Sequence, residues 1–196
     1  MPAAAFPAPV LASQADFRAL MDAVAQPGTV KPLPPAAAAA PPPLSATAAA
    51  VALTMLDYET PVWLDAPLAR SPQVADWIRL HAGARVTSDP RQAAFAFIAD
   101  PVHAPAFDGF SLGTPEYPDR SATLVLQVEG FGSGQRLLLA GPGIADVQSF
   151  SAQPLPPDFQ NRIAVNRALF PRGVDVILVS PNAVAALPRS VASTRG

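Results

Sequence analysis

Residues 121–144 read SATLVLQVEGFGSGQRLLLAGPGI, and the fold depends on how this stretch divides. Residues 123–128 and 136–140 are apolar runs, rich in leucine and β-branched side chains and bounded by glycines, which is the pattern of strands. The seven residues between them, EGFGSGQ, are short and glycine-bearing, so the two runs are predicted to form a hairpin. The second run leaves into Gly141-Pro142-Gly143-Ile144, a sharp turn where glycine backbone can approach a neighbour closely, because no Cβ stands in the way. That neighbour is a ligand, a partner or the chain's own core.

Working outward, VDVILVS (174–180) is the strongest central strand, and Pro181-Asn182 can turn it into a second strand at 184–187. AAFAFIA (93–99) reads as a buried strand, and residues 29–33 and 61–64 as short ones. Helical patterns lie between them. Ser13 and Asp16 have capping-box spacing, and Phe17, Leu20, Met21 and Val24 follow at i, i+3, i+4 and i+7 until Pro27-Gly28 stops the helix. Ser45 is placed to cap a helix over 46–56 that is apolar almost all round, as a buried helix would be. Ser71-Pro72 opens a helix through Val74, Trp77, Ile78 and His81, which Gly83 ends. Phe159, Ile163 and Asn166 share one side of a helix over 158–169.

Residues 1–12 are expected to be a flexible lead-in, PPAAAAAPPP (34–43) a proline-stiffened loop with little to bury, and 191–196 a tail. The expectation is thus one α/β domain over 13–190. Helices interleaved with buried strands, some paired as hairpins, predict a three-layer α/β sandwich with a mixed sheet.

Composition narrows the chemistry. The chain has 196 residues, half of them apolar and only 14% charged, with a net charge of −2. That balance suits a large buried fraction or a large interface and offers no electrostatic reason to bind nucleic acid. Without cysteine there is no disulfide, no thiol nucleophile and no cysteine-ligated iron–sulfur cluster. Two histidines, His81 and His103, lie far apart, so a multi-histidine metal site is not expected. Lys31 is the sole lysine. It sits beside the proline-alanine tract, a poor place for a Schiff base to pyridoxal phosphate. The proline-interrupted start makes a poor signal peptide, and no uninterrupted apolar run of membrane-spanning length occurs, so a soluble, cytoplasmic protein is expected.

GFGSG (130–134) invites a phosphate-loop reading, but such glycines must join a strand to the start of a helix. Here they are read as joining two strands. Ser133 has Phe131, not glycine, two residues before it, so no nucleophile elbow is present. Asp57, Glu59 and Thr60, in the turn after a buried helix, are candidates to line a cleft, as are Gly141 and Gly143 in the GPGI turn. Asp57, Glu59 and Asp65 lack metal-ligand spacing. From residue chemistry alone no reaction is identified.

FRALMDAVAQPG (17–28), VALTMLDYETPVWLDAPL (51–68), TLVLQV (123–128), RLLLAGPGI (136–144), FPRGVDVILVS (170–180) and LPRS (187–190) together resemble the PhnH family of subunits of the bacterial carbon–phosphorus lyase system. The match runs in order from about residue 13 to about residue 192. The resemblance implies a fold similar to pyridoxal-phosphate-dependent transferases, without the cofactor. It implies a subunit that acts with the G, I and L proteins to replace the adenine of ATP by a phosphonate, forming ribose 1-phosphonate 5-triphosphate. It also implies association with the G, I and J proteins and a homodimer in isolation. A separate radical-SAM subunit then breaks the carbon–phosphorus bond. No catalytic, cofactor-binding or metal-binding residue carries over from the family. The alternative is a stand-alone ligand-binding or enzymatic domain, with its site near residues 57–60 or the GPGI turn.

Overall fold

The computed structural model describes residues 9–36 and 39–195. In chain order, α1 (Pro9–Ala25) leads to β1 (Lys31–Pro32), α2 (Ala46–Met55), β2 (Val62–Leu64), α3 (Ala66–Ala69), α4 (Pro72–Ala82), β3 (Val86–Thr87) and β4 (Phe95–Ile98). Four 3-10 turns, one ahead of β4 and three after it, precede β5 (Thr123–Gln127). Then come β6 (Gly130–Phe131), β7 (Leu137–Ala140), β8 (Gln148–Phe150), β9 (Ala152–Gln153), α5 (Phe159–Ala168), β10 (Asp175–Ser180), β11 (Ala183–Leu187) and β12 (Ala192–Arg195).

Seven strands form the main sheet in the order β1-β11-β10-β5-β4-β2-β3. β3, β2, β4, β5 and β10 are parallel, and β11 turns back antiparallel to both β10 and β1. The predicted mixed α/β sheet is therefore present. Side-chain alternation sends Val125, Ile177, Val179, Val184 and Ala186 to a core shared with α1, α2, α3 and α4. Leu124, Leu126, Val176, Leu178, Ala185 and Leu187 point the other way, to a core shared with α5 and the strands of a smaller sheet. Each leucine, isoleucine or phenylalanine fully buried there contributes about 1.5–3 kcal/mol. The alanines of α2, buried at positions 48–50 and 52, let that helix lie close on the sheet.

The predicted hairpin is not formed. β5 enters the main sheet between β4 and β10, whereas β7 lies between β12 and β8 in a separate three-stranded sheet. Gly130-Phe131 pairs instead with Ala152-Gln153. Both runs are strands, as read, but neighbours in sequence serve different sheets, and the glycines between them allow that change of layer. The predicted tail is β12, whose residues Ala192 to Arg195 pair with Ala140 to Leu137. α1 is described from Pro9 onward. Ser13 is therefore inside the helix rather than its cap. Residues 1–8 of the predicted lead-in fall outside the described residues. On the predicted apolar face of α1, Leu20 is buried but Phe17 is 48% exposed.

The described residues at either end of the proline-alanine tract are docked more firmly than its composition suggests. Ala36 N–H donates to the Ala46 carbonyl, and Leu44 is buried. Gln127, the last residue of β5, accepts from Ser45 N–H and donates to the Pro43 carbonyl. Asn166, on the apolar side of α5, satisfies both the N–H and the carbonyl of Val174 through its side-chain amide. It thereby fixes the helix against the entry to β10.

Candidate functional site

Asp57, Glu59 and Thr60 lie on an exposed turn between α2 and β2. Asp57 Oδ1 accepts from Glu59 N–H at 2.9 Å and from the Thr60 hydroxyl at 2.6 Å. The Thr60 hydroxyl, then the Glu59 N–H, hold the Asp57 carboxyl below its ordinary value. The carboxylate is turned in on its own loop, as in an Asx-turn.

Gly141 and Gly143 answer the question of the close neighbour: it is the chain itself. A Cβ on Gly141 would stand 3.0 Å from the Ser190 carbonyl oxygen, and one on Gly143 would collide with the Ala25 carbonyl and Pro27. Gly143 also has φ +83°. The GPGI turn thus presses the end of α1 and its Pro27-Gly28 corner against the small sheet. Gly28, with φ +74°, packs in turn against Leu139 and Gln148. The five predicted residues do not form one site. The acidic turn and the glycine turn sit on separate parts of the fold, and the glycines support a wall rather than face a ligand.

Open α/β sheets tend to hold ligands at the carboxyl ends of their parallel strands, where adjacent strands send their following loops in opposite directions. In this sheet that place lies between β2 and β4, since β2 crosses to β3 on one side and β4 to β5 on the other. It is filled by Asp65. This side chain is 5% exposed, and its Oδ2 accepts from Ala99 N–H at 2.7 Å and Asp100 N–H at 2.9 Å. Its Oδ1 caps α3 through Leu68 N–H. Burial pushes the Asp65 carboxyl above its ordinary value, against the pull of the three N–H donors. Farther along the same edge, Gln127 grips residues 43–45, and the Thr47 hydroxyl donates to the Pro181 carbonyl at 2.7 Å. Between β2 and β4, and at the ends of β5 and β10, the edge is thus engaged by the chain's own polar groups, while an open cavity of about 590 Å³ lies at the ends of β2 and β3, lined by Leu64, Ala66, Thr87 and Ser88.

An open cavity of about 710 Å³ lies elsewhere, between the Gly28–Val30 segment, the GFGSG loop and β8. Arg136, Gln148, Ser149 and Ser151 supply its polar groups, and Phe131 and Phe150 its apolar wall. Arg136 Nε donates to Ser149 Oγ at 2.9 Å. No carboxylate lines this cavity, and no ion pair within 4 Å engages Arg136 among the described residues. Gly132 and Gly134 both have positive φ, and a Cβ on Gly132 would meet nothing, so the loop leaves the cavity mouth clear.

Sequence reasoning picked out GFGSG but assigned it to a hairpin, and it missed Arg136, Ser149 and Ser151. Their grouping depends on the pairing of β7 with β8 and on a corner more than a hundred residues earlier, and neither leaves a local pattern. The structural role of Asp65 is not among the sequence expectations. The Asp-Ala-Pro order of residues 65–67, an N-cap signal followed by proline, was the available clue. Among the described residues no three His, Asp or Glu side chains group to hold a metal ion. No described helix is long and apolar enough to cross a membrane.

The resemblance seen in the sequence motifs is matched by comparison with known proteins. A family model described as bacterial phosphonate metabolism protein (PhnH) matches residues 4–194. The alpha-D-ribose 1-methylphosphonate 5-triphosphate synthase subunit PhnH of Rhizobium meliloti (strain 1021) is 45% identical over 186 residues, 95% of this chain and 92% of that protein. The putative C-P lyase subunit protein HtxG of Stutzerimonas stutzeri is 43% identical over 79 residues, 40% of each chain. With nearly its whole length matched, the chain belongs to the PhnH family of bacterial phosphonate metabolism proteins.

Proposed function

We propose that this chain is a subunit of the machinery that makes ribose 1-methylphosphonate 5-triphosphate, acting with the G, I and L proteins of the carbon–phosphorus lyase system. The observation that carries this reading is the 45% identity, over 95% of the chain, to a protein named as a subunit of that synthase. The filling of the β2–β4 point by Asp65 supports a role that depends on partners. So does the exposure of Phe17 on α1 and Leu53 on α2, which suits a surface for docking. The proposed partners are the G, I and J proteins, with a homodimer in isolation and a cytoplasmic location. The proposed ancestry is a pyridoxal-phosphate transferase fold that has lost its cofactor. Lys31, the sole lysine, supports this: it lies on the two-residue edge strand β1, with its Nζ donating to Gln26 Oε1 at 2.7 Å.

The test is reconstitution. With ATP and methylphosphonate, release of adenine is expected from the G, I and L proteins together with this chain. Removing this chain is expected to abolish it. Robust adenine release by the chain alone would overturn the subunit reading in favour of a stand-alone enzyme.

A further inference from the structure

We propose that the cavity beside the GFGSG loop is a binding site for a tetrahedral phosphorus oxyanion, a phosphonate or a phosphate group, with Arg136 as its charge partner. This deepens the subunit reading above and rests on it for the choice of ligand class.

Arg136 leaves most of its donors unused. Its Nε is committed to Ser149 Oγ, a contact that orients the guanidinium plane. Among the described residues neither terminal nitrogen has a protein acceptor, whereas Arg162 holds a carboxylate and two backbone carbonyls and Arg189 a carboxylate and one backbone carbonyl. Arg136 and Ser149 are both exposed at the cavity mouth, and the two remaining guanidinium nitrogens form the fork that can grip two oxygens of a phosphoryl group. Ser149 already accepts from Arg136, so its own O–H is left to donate. Ser151, partly buried on the same wall, adds a second hydroxyl. All these groups donate, and no lining carboxylate competes for them or repels an anion.

The volume bears on the ligand. Ligand cavities run from roughly 300 to 1,000 Å³, and about 710 Å³ exceeds the need of a methylphosphonate alone. A larger molecule carrying a phosphate, such as a nucleotide, also fits, with Phe131 and Phe150 as its apolar contacts. The shared chemistry is the phosphorus oxyanion.

The experiment titrates the full-length chain, alone and assembled with its partner proteins, with methylphosphonate, inorganic phosphate and ATP by calorimetry. Binding of at least one is expected, weakened roughly 10- to 100-fold in Arg136→Gln, the range for losing a charge-assisted hydrogen bond. Arg136→Lys is expected to recover part of it, and Ser149→Ala to weaken binding less. Melting temperature checks that each variant is folded. Binding of methylphosphonate or phosphate that depends on Arg136 supports a free oxyanion site, and Arg136-dependent binding of ATP alone supports a nucleotide phosphate. No binding in either form of the protein, or binding indifferent to Arg136, overturns the proposal. If adenine release still requires this chain in that event, the subunit reading stands without the cavity.

Discussion

The carboxyl edge of the large sheet and the cavity beside the small sheet treat charge in opposite ways. At the edge, three backbone N–H groups that could bind an anion already hold the Asp65 carboxylate. At the cavity, Arg136 makes one contact to a neutral hydroxyl and otherwise faces open space. The first arrangement completes the fold from within. The second leaves a cation unanswered, which no stability argument requires. Where this fold class customarily keeps a ligand, between β2 and β4, the chain has placed one of its own side chains, and the cavity that Arg136 lines belongs to a layer added beside the sheet.

The largest effect that tests this contrast is expected at Asp65. Asp65→Ala would leave the buried Leu68 N–H and the part-buried Ala99 and Asp100 N–H groups without their acceptor, at up to about 1–3 kcal/mol each before relaxation. A loss of about 3–5 kcal/mol is expected in denaturant unfolding, and a loss below about 1 kcal/mol would show that the edge is not held by this carboxylate. Asp65→Asn keeps an acceptor oxygen and should lose less than half as much. Next comes Gly143→Ala, which combines a positive φ with a clash against the Ala25 carbonyl. The same measurement should show a loss of about 2–4 kcal/mol, and a neutral result would mean that the corner walling the cavity is not pinned there. Arg136→Gln is expected to change stability by no more than about 0.5 kcal/mol, as for an exposed side chain outside any network. A larger loss would place Arg136 with Asp65 as a structural group and remove the contrast.

The smallest effects concern pH and carry opposite signs. Burial raises the Asp65 carboxyl, so the folded chain holds that proton more tightly than the unfolded one. Its contribution to stability falls as pH rises from the ordinary carboxyl range to the raised value. Asp57 is lowered by Thr60 and Glu59. Its contribution is present above the ordinary carboxyl range and is lost as pH falls through the lowered value. Urea titrations across acidic pH should show Asp65→Asn and Asp57→Asn changing the slope in opposite directions, with the exposed Asp57 giving the slighter change.

Much of the main sheet was legible in the sequence because its strands are apolar on both faces. VDVILVS, AAFAFIA and TLVLQV need no partner to be recognised. α4 was equally plain, from Ser71-Pro72 to Gly83, whose φ of +71° supplies the expected left-handed cap. The small sheet was not legible as a sheet. β8 and β12 read QSF and ASTR, too short and polar for a pattern, and β7 looked like the partner of β5 only because the chain between them is short. The candidate site fared worse for the same reason. Arg136 and Ser149 carry no motif, and the pairing that joins them lies in the part of the fold with the weakest local signal.

The joint between β1 and β11 bears on the order in which these parts can assemble. Lys31 pairs with Val184, and Gly28 N–H donates to the Ala186 carbonyl, so the corner that walls the cavity rests on residues far along the chain. Contacts across such separations must first meet the entropy of closing a long loop, and topologies rich in them fold slowly. The cavity draws on segments near residues 28, 132 and 149 at once. It is therefore expected to mature after the parallel strands have paired, and to be among the first features lost when the native chain opens locally. Hydrogen exchange of the Gly28 amide, compared with that of Leu126, would time the two events.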